Sequence, residues 1–185
     1  MSRALDYCYN IHVICCRILG IKPINVVGCT SSYDGYRGSH NLSQSVLEVN
    51  QKLIDESDSY DTETQHSDYI LSLWVLSGIV AHETMHLYQE HNITLQRVRD
   101  TLYEAQNCQD FRAIDSKVYY NLSIELEANA FAAFIEEKTL ESYVEGKEHY
   151  PLNPATDMKK FQDELNRMYQ QYDEKYNEVM KQIRQ

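Results

Sequence analysis

The stretch His82-Glu83-Thr84-Met85-His86 has the residue types and the spacing that metal-assisted hydrolysis requires. It matches H-E-x-x-H, in which two histidines about one helical turn apart leave the same face and can reach one metal ion. Neutral imidazole nitrogen is a preferred zinc ligand, and Glu83 is next to the first histidine, where its carboxylate can meet a metal-activated water. A chain of this composition is expected to contain about 0.02 such matches by chance. The alternative is a helix whose two histidines only pack or form hydrogen bonds.

A third ligand is needed, because a catalytic zinc ion takes three protein ligands and keeps one open position. Glu125 is the preferred candidate, since it lies in the alanine-rich segment ELEANAFA, where small residues permit close approach of the site helix. Asn129, one turn later, could accept the second ring N–H of a ligand histidine and so fix its tautomer. Glu127 is expected to face away and to be solvated or paired. The alternative is that Glu125 is an ordinary carboxylate on a helix surface.

Other side chains that could complete a site are less informative. His91 lies about 140° around the helix from His86, so it is expected to point elsewhere and to favour the negative end of the helix dipole. Four further histidines lie in other predicted elements, and several tyrosines are candidate donors to an oxyanion: His12, His40, His66 and His149, then Tyr119, Tyr120, Tyr143 and Tyr150.

HETMH followed by ELEANAFA resembles the gluzincin class of zinc metallopeptidases, and the form E-x-E-A-N-x-F-A is especially similar to the ImmA/IrrE-type peptidases. The resemblance covers roughly residues 79–90 and 122–134, although position 85 is Met where that family often has Gly. It implies one catalytic Zn²⁺ bound by His82, His86 and Glu125, with Glu83 as the general base and Asn129 as the partner of a ligand histidine.

The elements that must position these residues follow from periodicity and turn signals. In chain order we expect a helix at 2–19, strands at 24–29 and 45–54 around a turn or hairpin at 30–41, an exposed loop at 55–67, the site helix at 68–92, a helix beginning after Thr94, the Glu-ligand helix at 112–140, a loop at 141–154 and a long helix at 155–184.

These elements predict an α+β fold that is mostly helical and zincin-like. Residues 1–150 are expected to form a metallopeptidase domain, with 151–185 as a C-terminal helix appended to it. The apolar stripe of that last helix either docks on the body or pairs with another chain.

Charge and composition exclude some classes of protein. The formal net charge of −11 disfavours binding to nucleic acid or to an anionic membrane surface. Charges interrupt the apolar part of the N-terminal segment, and no run of 18 apolar residues is present, so neither a signal peptide nor a membrane span is expected. Five cysteines without a CxxC pair favour a reducing compartment, and we expect a cytoplasmic protein.

The sequence therefore predicts a zinc metallopeptidase that acts on a protein or peptide substrate. An extended substrate could add to an exposed edge strand, for which the strand at 45–50 is the candidate. One alternative is a zinc-binding interaction scaffold that no longer cleaves, although such a protein would not need to retain Glu83. A second is a helical interaction protein without metal that binds its partner through residues 155–184. A third is a metal-dependent hydrolase of something other than peptides, because H-E-x-x-H specifies the water and not the substrate.

Overall fold

The computed structural model describes residues 2–31, 37–41, 44–92 and 123–144, together with positions 159, 160, 163 and 167. The chain begins with helix α1, Arg3–Leu19. The Ser2 side chain accepts a hydrogen bond from the Leu5 amide at its start, and Gly20 ends it in the left-handed region with φ of 70°. This confirms the helix predicted at 2–19. Its inward face is fully apolar apart from one histidine, His12, which is completely buried.

Three short strands follow, which we label β1 (Asn25–Cys29), β2 (Gly38–Asn41) and β3 (Val46–Asn50). They form one sheet in the order β1-β3-β2, in which β1 is parallel and β2 is antiparallel to β3. Strand β3 is therefore the central strand, and the expectation of an exposed edge strand at 45–50 is wrong. The edge next to the site helix is β2.

Helix α2, Gln51–Ser59, corrects the expected strand at 45–54 and loop at 55–67. The strand stops at Asn50, whose side chain accepts a hydrogen bond from the Lys52 amide and so begins the helix. Ile54 and Ser57, three residues apart, are the buried positions of α2. Asp55 and Glu56, which lie between them, are exposed, and this is why the segment lacks a clear apolar period.

Helix α3, His66–Asn92, is the central element and contains the H-E-x-x-H motif. It packs against α1, against β2 and, most extensively, against helix α4, Ser123–Val144. Within the described part of the chain, α3 is long and apolar enough to cross a membrane by length and composition, over His66–Glu90. Yet 56% of that stretch is buried inside the protein, as in a helix around which a core is built.

The described residues make a mixed α+β fold that is mostly helical, which confirms the predicted class. The helix expected after Thr94 lies outside the described residues, as does the boundary between 1–150 and 151–185. The loop expected at 141–154 is wrong for 141–144, because α4 continues to Val144, and the rest of it lies outside the described residues. Within the expected helix at 155–184, four described positions have helical backbone: Lys159, Lys160, Asp163 and Arg167.

Candidate metal centre

Three predicted ligands come together between α3 and α4. The Nε2 atoms of His82 and His86 are 3.0 Å apart, as expected for imidazoles one turn apart on the same face. Glu125, on α4, faces both rings: its Oε2 lies 3.3 Å from Nε2 of His82, and its Oε1 lies 3.4 Å from Nε2 of His86. The three side chains form a group that could hold a metal ion.

The spacing of these atoms fits a small divalent cation. Ligands about 2.0–2.1 Å from a tetrahedral metal are separated from one another by about 3.3 Å. The observed separations of 3.0, 3.3 and 3.4 Å scatter around that value. A metal ion could therefore be bound without moving either helix, because the donor atoms already surround a space of the right size.

Close packing of the two helices brings Glu125 to the histidines. Glu125 is only 3% exposed, and the neighbouring Ala128 and Ala130 are completely buried. On α3, Gly78 leaves room for the Glu136 side chain of α4: a Cβ added at Gly78 would lie 1.9 Å from Oε1 of Glu136. Small residues on both helices thus permit the close approach, as the alanine-rich sequence indicated. A buried carboxylate is costly without a cation or hydrogen-bond donors, which further suits this position to metal binding.

A glutamine that sequence reasoning missed fixes the orientation of one ligand ring. The Gln89 side chain donates from Nε2 to the carbonyl oxygen of Ile124 and to Oε2 of Glu127, each at 2.9 Å. These two acceptors leave its Oε1 facing Nδ1 of His86 at 2.8 Å, so Nδ1 must carry the proton. The Nε2 lone pair of His86 is then directed towards His82 and Glu125, as a metal ligand requires.

This network corrects two expectations. Glu127 was expected to face away from the site and to be solvated or paired; it is paired, but with Gln89 of this network, and it is only 5% exposed. Asn129 was expected to hold a ligand histidine, but within the described residues the partner of His86 is Gln89 instead. A signal for Gln89 was present in the sequence, because it follows His86 by three residues and so shares its helix face.

Charge around His86 favours its protonated form when no metal is bound. Burial lowers the pKa of His86, but the hydrogen bond and charge of Glu125, with smaller effects from Gln89 and Glu83, raise the pKa above 6.5 overall. The pocket is therefore electronegative. A divalent cation would replace a proton there and neutralise the same carboxylate.

Glu83 lies beside the ligand pair and against the sheet. Its side chain is 12% exposed. A Cβ added to Gly38 would lie 3.3 Å from Cγ of Glu83 and 2.9 Å from Cγ2 of Ile79, so β2 crosses α3 closely at this point. His40, also on β2, lies over the same region, and its ring centroid is 6.0 Å from that of His86. The structure thus places His40 beside the site, which the sequence alone could not predict.

Of the remaining candidates, the two whose side chains the structure describes, His12 and His66, are not part of this group. His66 is exposed at the first position of α3, and His12 is buried on α1. The side chains of the others lie outside the described residues: His91, His149, Tyr119, Tyr120, Tyr143 and Tyr150.

Comparisons of the chain with protein-family models, with curated proteins and with solved structures find no significant match in any of the three. What can be concluded about the site therefore rests on its own donor atoms and their geometry: a buried group of two imidazoles and one carboxylate that could hold a metal ion.

Proposed function

We propose that this protein is a zinc-dependent metallopeptidase. The observation that supports this most strongly is the convergence of His82, His86 and Glu125. The two histidines lie on α3, and Glu125 lies on α4, 39 residues after His86. A short motif by itself would not require a third donor, the Glu125 carboxylate, and a packing role would not require three donor atoms directed at one point.

Zinc is the metal that suits this donor set best. Two neutral imidazoles and one carboxylate are a known set of catalytic zinc ligands, and the fourth position stays open for water. The structure describes no fourth protein donor in the group, within residues 2–92 and 123–144 apart from their gaps. Softer thiolate sites are disfavoured, because Cys8, Cys15 and Cys16 are buried in α1, where burial raises the pKa of each thiol.

The proposed chemistry assigns one task to each side chain. A bound zinc ion supplies an activated water and polarises the substrate carbonyl. Glu83 accepts the proton of the attacking water and passes it to the leaving amine, a transfer that general-base catalysis makes about 10²–10⁴-fold faster. Gln89 keeps His86 in the tautomer that leaves its Nε2 free for the metal.

The proposed fold family is the zincin fold in its gluzincin form, similar to the ImmA/IrrE-type peptidases. Two features support it: a sheet edge that lies against the H-E-x-x-H helix, and a glutamate ligand on the next described helix. An extended peptide could add to β2, whose one described partner strand is β3. This replaces the expectation that the strand at 45–50 is the docking edge, because β3 is paired on both sides.

The test begins with metal stoichiometry. Protein purified without added metal is analysed by inductively coupled plasma mass spectrometry, for wild type, Glu125→Ala, Glu83→Gln and the remote exposed control Asp55→Asn. We expect about one zinc per chain in all but Glu125→Ala, because Glu83 is beside the ligands and is not one of them. Equal zinc in Glu125→Ala and wild type would contradict the ligand assignment.

Activity is then measured on a mixed peptide library by mass spectrometry. Wild type and Asp55→Asn should cleave, and Glu83→Gln should lose at least about 100-fold in kcat while keeping its metal. Undiminished cleavage by Glu83→Gln would contradict the mechanism. A zinc-loaded wild type that cleaves nothing would instead favour the non-cleaving scaffold.

A further inference from the structure

His40 lies between two carboxylates of the site helix. Its Nδ1 is 3.7 Å from Oε2 of Glu83, and its Nε2 is 2.5 Å from Oε1 of Glu90. The two glutamates are seven residues apart on α3, so they occupy the same face two turns apart. His40 comes from another element, the edge strand β2, and is 20% exposed in its side chain.

Both ring nitrogens of His40 face an acceptor. A neutral imidazole donates from one nitrogen only and would present a lone pair to the other carboxylate. The imidazolium form donates from both and is favoured here: the Glu83 carboxylate raises the pKa of His40 to about 9, against the effect of burial and together with Glu90. The ring therefore lies between the two carboxylates: its Nε2 is at hydrogen-bond distance from Glu90, and its Nδ1 is at the longer ion-pair distance from Glu83.

The sheet limits where the Glu83 side chain can go. Gly38, two residues before His40 on the same strand, leaves no side chain between β2 and Cγ of Glu83. An added Cβ at that position would also lie 3.0 Å from the Glu48 carbonyl oxygen, so the strand itself has little room to shift. The carboxylate of Glu83 thus occupies a narrow space whose polar wall is the ring of His40.

We propose that His40 is a positioning residue for hydrolysis, which orients the Glu83 carboxylate beside the metal ligands while Glu90 holds the ring of His40. The inference rests on the proposed peptidase function. His40 keeps its own protons throughout, and the proton of the attacking water moves to Glu83 and from there to the leaving amine. The ring of His40 keeps the Glu83 side chain from turning towards solvent.

Two conservative variants separate the two contacts of the ring. In His40→Asn, the amide nitrogen takes the place of Nδ1 and still faces Glu83. In His40→Gln, the amide nitrogen takes the place of Nε2 and faces Glu90 only. The set is completed by His40→Ala and by Glu90→Gln, for which Asp55→Asn is the control that removes one remote, exposed carboxylate.

We expect His40→Ala and His40→Gln to lower kcat about tenfold or more, with KM and zinc content as in wild type. His40→Asn should recover a clear part of that loss, and Glu90→Gln should fall between His40→Asn and His40→Ala. A merely structural role would not distinguish Asn from Gln. If wild type cleaves and His40→Ala cleaves equally well, or if the Asn and Gln variants are equally impaired, the role of His40 is wrong and the peptidase proposal stands.

A second measurement does not depend on turnover. In ¹H–¹⁵N spectra of the zinc-loaded protein, the ring resonances of His40 should shift in Glu83→Gln and stay in place in Asp55→Asn. Ring resonances that do not respond to Glu83→Gln would overturn the proposed contact. A wild type that shows the contact but cleaves no peptide would overturn the peptidase proposal, and with it any role of His40 in hydrolysis.

Discussion

The side chains of His12 and Thr84 are joined by a hydrogen bond of 2.8 Å across 72 residues of sequence, and both are completely buried. Thr84 lies inside the H-E-x-x-H motif and donates its own proton to the Val80 carbonyl oxygen at 2.6 Å. Its oxygen must therefore accept from Nδ1 of His12, while Nε2 of His12 accepts from the Ile24 amide at 3.0 Å. This neutral histidine, with both ring nitrogens hydrogen-bonded, connects the site helix α3 to α1 and to Ile24, the residue before β1.

Thr84→Val should destabilise the protein by about 1–3 kcal/mol, because it leaves the Nδ1–H of His12 buried without its acceptor. Thr139→Val is a matched control, since Thr139 is also buried on a helix but its hydroxyl bonds, within the described part of the chain, to the Ile135 carbonyl oxygen alone, four residues earlier. That change should cost well under about 1 kcal/mol, since the carbonyl retains its helical partner. Urea unfolding measures both values, and equal effects of the two variants would contradict the special role of the His12 contact.

Stability should also fall in acid through His12. Burial lowers the pKa of His12 from 6.5 to about 4, so between these pH values the unfolded chain binds a proton that the folded chain excludes. The free energy of unfolding therefore decreases as pH falls through this window, by about 3 kcal/mol when it is complete. Unfolding free energies of wild type and His12→Gln are compared from pH 7 to pH 4. The variant should show the shallower dependence, and identical slopes would contradict the assignment.

The local part of the site could be predicted from the sequence because a helix has a fixed period. His82 and His86 must share a face once the segment is helical, and the alanine-rich turn around Glu125 indicated a close helix contact. The strand at 46–50 was also indicated, but its end was not. Ile54 fits both a strand and a helix period, and Asn50 was the overlooked signal, as a residue type that begins helices.

The contacts between distant segments could not be predicted, because they depend on how whole elements pack. Nothing in the residues around His40 indicates that β2 crosses α3 beside Glu83. Glu127 was expected to face away from the site, solvated or paired; it is paired, but its partner Gln89 belongs to the site. At this turn α4 is covered on both sides, and Glu125 and Glu127 are both buried.

Gln89 should control metal affinity without being a ligand. Gln89→Leu removes the acceptor of the His86 Nδ1–H, and loss of such a partner typically weakens metal binding about 10–100-fold. Asn92→Leu is the matched control, because Asn92 lies one turn later, is exposed and, among the described residues, bonds to the Tyr88 carbonyl oxygen alone. Zinc affinity is measured by competition with a chromophoric chelator. An affinity of Gln89→Leu equal to that of Asn92→Leu would show that the glutamine does not orient the ligand.

Gly38 and Gly78 both allow a close approach to α3, but their replacement by alanine should have different effects. At Gly38 the added Cβ meets a methyl group of Ile79 at 2.9 Å and a backbone oxygen of Glu48 at 3.0 Å, and neither is free to move. At Gly78 the added Cβ meets the far end of the Glu136 side chain, which can turn aside, and alanine favours the helix by about 1 kcal/mol over glycine.

We therefore expect Gly38→Ala to cost about 1–3 kcal/mol in the free energy of unfolding and to lower peptide hydrolysis, because β2 must move away from Glu83. Gly78→Ala should be nearly neutral in both measurements. Thermal and urea unfolding measure the stability of both variants, and the peptide library assay measures their activity. If Gly38→Ala is as stable and as active as Gly78→Ala, the contact between β2 and the site helix has no part in holding Glu83.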